Sequence, residues 1–438
     1  MQLKPLFLAL TLALAPAAHA TNLSDVYRDA LAYDAQYAAA RAAWQAGQEK
    51  SVQGRAGLLP NINLSGNVRY NSTESSLPGG DADYDSNGLA LTGAQPLFRK
   101  QNWVQYEQSR NQVKIADMQL KAASQDLILR VAQAYFDVLE SQDNIAFINA
   151  QKAAITEQLA AAKRNFEVGT ATITDTHEAQ ARFDLALAQE IAEQNNLNIR
   201  LRALEKLIGK PAGTLDSLVD NKLLKAEAGT LDEWAARAAD GNLQAEIQRI
   251  AKAIADQEVD RNRAGHYPTV DAVAGYTVNN NQNFGTQQVD TRTASIGVEL
   301  NLPIYQGGLT SSRVREAVAN QEKARQDLEV ATRDAGLQAR QAWLNVNSGV
   351  ARVRALEQAL VSTKAQLDST KLGLDVGVRT NLDVLDAEQQ VLSASRDLAA
   401  ARYAYLLSTL ALKAAVGTLS PEDLAEIDRH LRPPAAVQ

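Results

Sequence analysis

Two aspartates three residues apart, Asp383 and Asp386, are the residues of this chain whose type and spacing could do chemistry. They follow a short break, from Gly373 to about Thr380, that separates two long helix-forming segments. A new helix is predicted from about Asn381, whose side chain is a suitable N-cap. The spacing places both carboxylates on one face of that helix, near the positive end of its dipole. Such a pair could act as a catalytic acid and base, bind a cation or line a charged opening.

The rest of the sequence offers these acids no catalytic partners. The chain has no cysteine, and His177, His266 and His430 are isolated from one another in the sequence. The pair His177-Glu178 lacks the second histidine of a zinc-protease motif. We therefore predict no enzymatic activity, no cofactor and no metal site. A purely structural interpretation of the two aspartates also stays open, because acids are favoured in the first turn of any helix.

The composition and the start of the chain point to export. The 438 residues carry a formal net charge of −7 with no basic cluster, which argues against binding to nucleic acid. Lys4, the mostly apolar segment 5–18 and the site Ala18-His19-Ala20 have the pattern of a secretory signal peptide. We expect residues 1–20 to be removed, so that the mature chain begins at Thr21. Without cysteine it has neither disulfides nor a residue for a lipid anchor.

An internal tandem duplication organises the mature chain, because five landmarks recur with one offset of 208 residues. The pairs are Leu23 and Leu231, Pro60 and Pro268, Tyr135 and Trp343, Val168-Gly169 and Val376-Gly377, and Gly209 and Gly417. A repeat this long is two copies of one structural unit rather than a short solenoid motif. We predict repeats at 21–220 and 221–438, each with a helix, two strands, a long helix, a hairpin tip and a helix. The second repeat ends in a C-terminal equatorial segment.

Alternation of apolar and polar residues with period two predicts two strands in each repeat. They lie at about 61–70 and 88–98, and at about 269–278 and 294–304, with polar loops between. About ten residues suffice for a tilted strand to cross a bilayer. One apolar face and one polar face are typical of a barrel strand between lipid and water. A soluble sheet with one face on a core would alternate in the same way.

Two segments are far longer than ordinary globular helices. They run from Arg99 to about Phe166 and from Leu309 to about Leu374, and the first contains neither proline nor glycine. At about 1.5 Å per residue each could extend roughly 100 Å. Helices of this length indicate a coiled coil. Each segment ends in a short break, at about 166–170 and 374–380, which we interpret as the tip of a helical hairpin.

Four strands per chain are too few to span a membrane alone. The edges of an open sheet would leave unpaired N–H and C=O groups in lipid, and single-chain barrels have about eight strands or more. We therefore predict a mixed α and β membrane protein. Three chains close a twelve-stranded β-barrel, which continues into a long α-helical coiled-coil periplasmic tunnel. The alternative is a structural coiled-coil protein of the periplasm or cell surface that has no pore.

Five specific motifs are spread over nearly the whole mature chain, at Val168–Asp175, Leu302–Gly308, Val376–Ala387, Ala401–Tyr405 and Ala415–Leu419. With these motifs the chain resembles the TolC family of outer-membrane efflux and type I secretion channels. The resemblance implies a homotrimeric exit duct in the outer membrane, in contact with its lipid. It also implies partners, namely a periplasmic adaptor and an inner-membrane transporter that is either an ABC transporter or proton-driven. Drugs, small toxic molecules or secreted proteins would be the cargo.

The resemblance gives the opening pair of acids a role. Two aspartates ring the narrowest point of the duct in this family, and they fall on Asp383 and Asp386 of this sequence. A trimer would place six carboxylates around one bore, and such a ring favours cations. The hairpin tips would be the docking site for the partners. Their residues are Val168, Gly169, Val376 and Gly377.

The resemblance also implies a latch that closes the tips. Polar links hold the closed state in this family, and they fall on Arg379 of the second tip and on Gln158, Thr174 and Asp175 of the first hairpin. An arginine–aspartate contact suits a reversible latch. Leu374 stands where the family has a tyrosine, which removes one hydroxyl link from the latch.

Overall fold

The computed structural model describes residues 21–74, 82–170, 172–218, 228–283 and 287–432. The predicted signal peptide, residues 1–20, lies outside them. Internal contacts divide the chain into two units. Unit 1 consists of Met1–Ala38, Ser124–Trp234 and Gln338–Gln438, and unit 2 of Ala39–Ala123 and Ala235–Leu337.

The predicted duplication is present in the helices, which occur as four matching pairs. The pairs are α1 (Leu23–Tyr33) with α5 (Leu231–Gly241), α2 (Ala35–Ala56) with α6 (Leu243–Arg263), α3 (Lys100–Glu167) with α7 (Leu309–Asp375), and α4 (Ile173–Ile208) with α8 (Asn381–Ala415). Corresponding helices begin and end within one residue of the 208-residue offset. A short helix, α9 (Pro421–Asp428), follows α8. No helix in the described part of the chain is long and apolar enough to cross a bilayer.

The first helical segment differs from the prediction. The sequence suggests one helix from Ser24 to about Gly57, but the chain forms two, divided at Asp34. Asp34 has extended backbone angles, and its Oδ1 accepts a hydrogen bond from the backbone N–H of Tyr37 at 2.7 Å. Aspartate is more favourable as such a cap than inside a helix. Arg130 of α3 donates to both carboxylate oxygens, at 2.9 and 3.0 Å, and this contact holds the pKa of Asp34 below its usual range.

The four long strands form one antiparallel sheet in unit 2, as predicted in number. In chain order the strands are β1 (Asn61–Thr73), β2 (Ala82–Phe98), β3 (Ser217–Leu218), β4 (Thr269–Asn283), β5 (Gln287–Asn301) and β6 (Leu431–Arg432). The long strands lie in the order β1–β2–β4–β5, and the pairing of β2 with β4 joins the two repeats. The short strands β3 and β6 pair with each other in unit 1.

All four long strands exceed their predicted lengths. The polar segments that the sequence suggests as loops continue the ladders, so that Asn71 pairs with Tyr84 and Asn280 with Asp290. Antiparallel backbone hydrogen bonds do not depend on side-chain polarity, and alternation marks only the part of a strand that has an apolar face. At its other end β5 stops at Asn301, short of the predicted residue 304. Pro303 has no N–H to donate there.

The outer strands β1 and β5 are edges of the sheet. Among the described residues, each pairs along one side only. Large apolar side chains on these strands are uncovered in the single chain: Ile62 is 71% exposed, Val68 83% and Ile296 91%. An apolar surface of this kind marks a contact with another apolar phase or with another chain.

An ion pair between an exposed arginine and a buried aspartate fixes the end of the sheet. Arg99, which follows β2, donates to both oxygens of Asp271 on β4, at 2.8 and 2.6 Å. Two parallel bonds between a guanidinium and a carboxylate set orientation as well as distance. Close by, Pro96 lies at an irregularity in the pairing of β2 with β4, where a missing N–H is tolerated.

Small residues let α2 and α3 approach closely in unit 2. A Cβ atom on Gly54 would lie 2.1 Å from Oγ and 2.6 Å from Cβ of Ser109. A Cβ atom on Gly47 would lie 2.4 Å from Cβ of Ala116. The two glycines are one heptad apart, so they lie along one seam of the helix pair, as in a coiled coil.

The buried centre of unit 1 connects α3 with α8, the helices that lead to the two hairpin tips. Tyr135, Phe136 and Leu139 of α3 are almost fully buried. Phe136 stacks on Tyr403 of α8 with ring centroids 5.5 Å apart. The hydroxyl of Tyr403 donates to Oδ2 of Asp143 at 2.7 Å. Burial, together with the charge of Asp143, raises the pKa of Tyr403, so the hydroxyl keeps the proton that it donates.

Candidate functional site

Both hairpin tips have the same backbone turn. Gly169 and Gly377, which follow α3 and α7, have φ angles of 78° and 77°. These angles lie in the left-handed region that favours glycine at a helix C-terminus. The N–H of Gly377 donates to the carbonyl of Leu374 at 2.9 Å, and the N–H of Gly169 donates to Phe166 at 3.0 Å. The glycine of each Val-Gly pair is therefore required by the turn itself.

A capping box starts the helix after each tip. The predicted N-cap of α8, Asn381, is wrong by one residue, because Thr380 takes that position with extended backbone angles. The hydroxyl of Thr380 accepts from the N–H of Asp383 at 3.2 Å, and the carboxylate of Asp383 accepts from the N–H of Thr380 at 2.8 Å. The first tip repeats this exchange between Thr172 and Asp175, at 3.3 and 2.9 Å. These boxes satisfy backbone N–H groups that the first helical turn leaves free.

The capping contacts also set the charge of Asp383. The backbone N–H of Thr380, and then its hydroxyl, stabilise the carboxylate and lower the pKa of Asp383, and the charge of Arg379 acts in the same direction. The side chain of Asp383 is 40% exposed. Asp383 thus presents a negative charge to solvent at neutral and mildly acidic pH.

Arg379 lies against its own hairpin tip. A Cβ atom on Gly373 would lie 2.7 Å from Cγ of Arg379, so the glycine makes room for the arginine side chain on the last turn of α7. Nη1 of Arg379 lies 3.9 Å from Oδ1 of Asp383, which is a long contact, and the side chain is 59% exposed. Within one chain, Arg379, the predicted latch residue, therefore has its ion pair with Asp383, a predicted aperture residue, rather than with Asp175.

Asp386 is paired across the two hairpins. Nη1 of Arg182, on α4, donates to Oδ1 of Asp386 at 2.7 Å, and Nη2 donates to Oε1 of Glu178 at 3.3 Å. Sequence reasoning did not find Arg182. Its one signal is the four-residue spacing from Glu178, which is common on helix surfaces.

The predicted latch residues divide between two clefts. One cavity of about 330 Å³ is lined by Gln158, Asp175 and Leu374, with Arg182 at its wall. Thr174 is exposed and is not among the lining residues. The other cleft, of about 300 Å³, is lined by Arg379, Asp383, Asp386, Gln366, Ser369, Thr370, Ala387 and Gln390.

Exposed valine side chains lie at both tips. Val168 is 72% exposed, Val376 66% and Val378 76%. Across the described residues, no group of three or more histidine, aspartate or glutamate side chains could hold a metal ion. The arrangement suits contact with a partner or a passing ion.

Comparison with known proteins gives the chain a family. The family described as outer membrane efflux protein matches residues 26–210 and 235–418, once in each repeat. The outer membrane protein TolC of Vibrio cholerae is 37% identical over 437 residues, which cover 98% of this chain and 99% of that protein. The chain belongs to the outer membrane efflux protein family. The alkaline protease secretion protein AprF of Pseudomonas aeruginosa is 34% identical over 428 residues, 96% of this chain and 89% of that protein.

A solved structure shows the same fold. The CmeC outer membrane channel of Campylobacter jejuni matches with a TM-score of 0.78 at 17% identity, over 94% of this chain and 90% of that one. The family combines a helical tunnel with barrel strands in each chain, and its members are channels rather than enzymes. This protein is accordingly an outer-membrane protein with a periplasmic helical portion, an exit duct of the efflux and type I secretion class.

Replacing Thr380 by alanine tests the capping box at the second tip. The variant loses the hydroxyl that accepts from the N–H of Asp383, and we expect local stability to fall by about 1 kcal/mol. Deuterium uptake in the first turn of α8 should rise roughly fivefold. Thr172→Ala is the matched control and should accelerate exchange at the start of α4 alone. Equal acceleration at both tips in either variant would contradict the assignment.

The lowered pKa of Asp383 predicts how the stability of this cap depends on pH. A carboxylate with a depressed folded pKa stabilises the cap above its unfolded pKa of about 3.9, and this contribution is lost as the pH falls through the folded value. After correction for intrinsic exchange rates, protection of this turn should therefore be the same at pH 5 and pH 7.

Proposed function

We propose that three copies of this chain form a gated exit duct, in which a twelve-stranded barrel continues into a helical tunnel that the hairpin tips close. The observation that carries the proposal is the four-stranded sheet with open edges at β1 and β5. Each unpaired backbone group in lipid costs several kcal/mol, so these edges need strands from other copies. Twelve strands leave a wider bore than the smallest barrels, which have eight.

The exposed apolar side chains support this proposal over a coiled-coil protein without a pore. Ile62, Val68 and Ile296 would face water in such a protein, whereas a barrel turns one sheet face towards lipid. Transfer of this surface from water to lipid stabilises the inserted barrel by about 25 cal/mol for each Å² of apolar area removed from water.

Asp383 and Asp386 form the ring at the narrow end of the proposed duct. Each chain supplies two carboxylates from the start of α8, so a trimer has six. Asp383 keeps its negative charge because its pKa is lowered. A ring of carboxylates attracts cations and repels anions.

The latch is proposed between neighbouring hairpins. Arg379 is 59% exposed and reaches Asp383 only at 3.9 Å, so its guanidinium can donate to Gln158, Thr174 or Asp175 of a neighbouring hairpin. Leu374 lines the cavity beside these groups and has no hydroxyl to add. We therefore expect a latch with one link fewer than in relatives that have tyrosine at this position.

The proposed partners and cargo rest on the family of the chain. A periplasmic adaptor would dock on the tip residues Val168, Gly169, Val376 and Gly377, and an ABC or proton-driven inner-membrane transporter would supply energy and cargo. The relative AprF is named for alkaline protease secretion. Secreted proteins are accordingly one proposed cargo, beside drugs and small toxic molecules.

The duct is tested with the purified full chain. In detergent, sedimentation should give a particle of three chains, and the same sample should form cation-selective channels in planar bilayers. A monomer that forms no channel would overturn the proposal and favour a coiled-coil protein without a pore.

The ring is tested by replacing both aspartates, as Asp383→Ala with Asp386→Ala. We expect weaker cation selectivity and weaker block by multivalent cations, because six charges leave the bore. Asp240→Ala with Asp260→Ala removes the same charge from exposed positions in unit 2 and should change neither property. Unchanged selectivity in the first variant would place the ring elsewhere.

A further inference from the structure

The duplication relates the acids of the two hairpins to each other. Glu178 and Asp386 are 208 residues apart and occupy the same place after their tips. Four residues beyond Glu178 stands Arg182, whereas the equivalent position after Asp386 is Gln390. The surroundings of these two equivalent carboxylates have thus diverged, and only Glu178 has a cation four residues later on its helix.

Arg182 forms an ion pair with each of these acids. Its guanidinium donates to Asp386 on α8 at 2.7 Å and to Glu178 on α4 at 3.3 Å. The arginine side chain is 27% exposed, against 57% for Asp386. Partial burial works to lower the pKa of Arg182, but its bonds to Asp386 and Glu178 outweigh burial and raise it.

An apolar contact lies directly beneath this ion pair. Leu385, the neighbour of Asp386, packs with Ile155 of α3 and Ala186 of α4, and all three are buried. An isolated exposed ion pair contributes little to stability. A three-member network on a partly buried arginine, above a packed apolar cluster, is less screened by solvent and is held in one geometry.

The other ion pairs of the tips stay within one hairpin. Lys152 pairs with Glu190 between α3 and α4, and Lys371 pairs with Glu388 between α7 and α8. The ion pair of Arg379 with Asp383 lies within the second tip. Among the described tip residues, the pair of Arg182 with Asp386 is therefore the ionic link between the first and the second hairpin.

We propose that Arg182 is an electrostatic clamp between the two hairpins of each chain, which holds the resting tip closed and offsets the charge of Asp386. When α4 and α8 separate, the pair breaks and Asp386 becomes a free carboxylate. The ring is then more negative in the open duct than in the closed one. This inference rests on the proposed function, because it requires the tips to surround a bore.

Two variants separate the link that Arg182 makes between the hairpins from the positive charge that it adds. Arg182→Gln removes both the link and the cation. Arg182→Gln with Gln390→Arg returns a cation four residues after Asp386, on the helix of Asp386 itself, where it offsets the charge without joining the hairpins. Both are compared with the unaltered protein by single-channel conductance and ion selectivity in planar bilayers.

The clamp predicts different results for the two variants. Arg182→Gln should raise resting conductance by about twofold, as expected from loss of a contact of this class, and should increase cation selectivity. The double variant should restore selectivity while conductance stays raised. Glu178→Gln removes the other partner of Arg182 but keeps the link, so conductance should remain low.

Two outcomes would overturn the proposal. Conductance that stays at its original value in Arg182→Gln would show that the pair does not hold the tips. Recovery of both properties in the double variant would show that Arg182 acts through charge alone. Absence of channels in the unaltered protein is a separate result, which would instead reject the proposed function.

Discussion

Each backbone N–H and C=O group at the edge of a β-sheet needs a hydrogen-bond partner, and the rest of this structure depends on that requirement. Duplication gives the chain two β-hairpins, β1–β2 and β4–β5, which join through β2 and β4 into one sheet of four strands. The hydrogen-bonded ladders continue through polar segments to the ends of the strands. No other described segment pairs with the outer edge of β1 or β5. The single chain is therefore incomplete, in agreement with a family of oligomeric channels.

The duplication also gives the chain two tips with the same backbone turn, and a few differing residues distinguish their contacts. Both tips have a glycine in the left-handed region and a capping box. The hairpin turn needs the glycine, and the start of the following helix needs the capping box. The capping threonine therefore holds one acid in place at each tip, and at the second tip it also lowers the pKa of that acid, Asp383. One difference lies four residues beyond the second acid, where the first hairpin has Arg182 and the second has Gln390. This one cation connects two hairpins that share the same turn and the same capping box.

Sequence predicted the kinds of element well, because their patterns are local. Alternation marked four strands, and two uninterrupted segments marked α3 and α7. It did not predict the strand ends, since ladder bonds form between polar residues such as Asn71 and Tyr84 as readily as between apolar ones. The N-cap was open to prediction: the counterpart of Thr380 is Thr172, whereas the counterpart of Asn381 is Ile173, which has no side-chain acceptor.

The contacts between the two helical hairpins could not be predicted from the sequence. Spacing places Arg182 near Glu178 on α4, but the rotation of α4 against α8 decides that Arg182 also reaches Asp386. Leu385, Ile155 and Ala186 pack together at this place, and periodicity within one helix does not predict such a contact between helices. Family motifs pointed instead to Arg379, whose ion pair in one chain lies within its own tip.

The claim that the start of α8 surrounds the bore in three copies can be tested in one recording. The chain has no cysteine, so Asp386→Cys gives one reactive site in each copy. Single channels of this variant are exposed to a positively charged thiol-specific methanethiosulfonate reagent. The account predicts that cation current falls in three discrete steps. A current that does not change, or that changes in another number of steps, would contradict it.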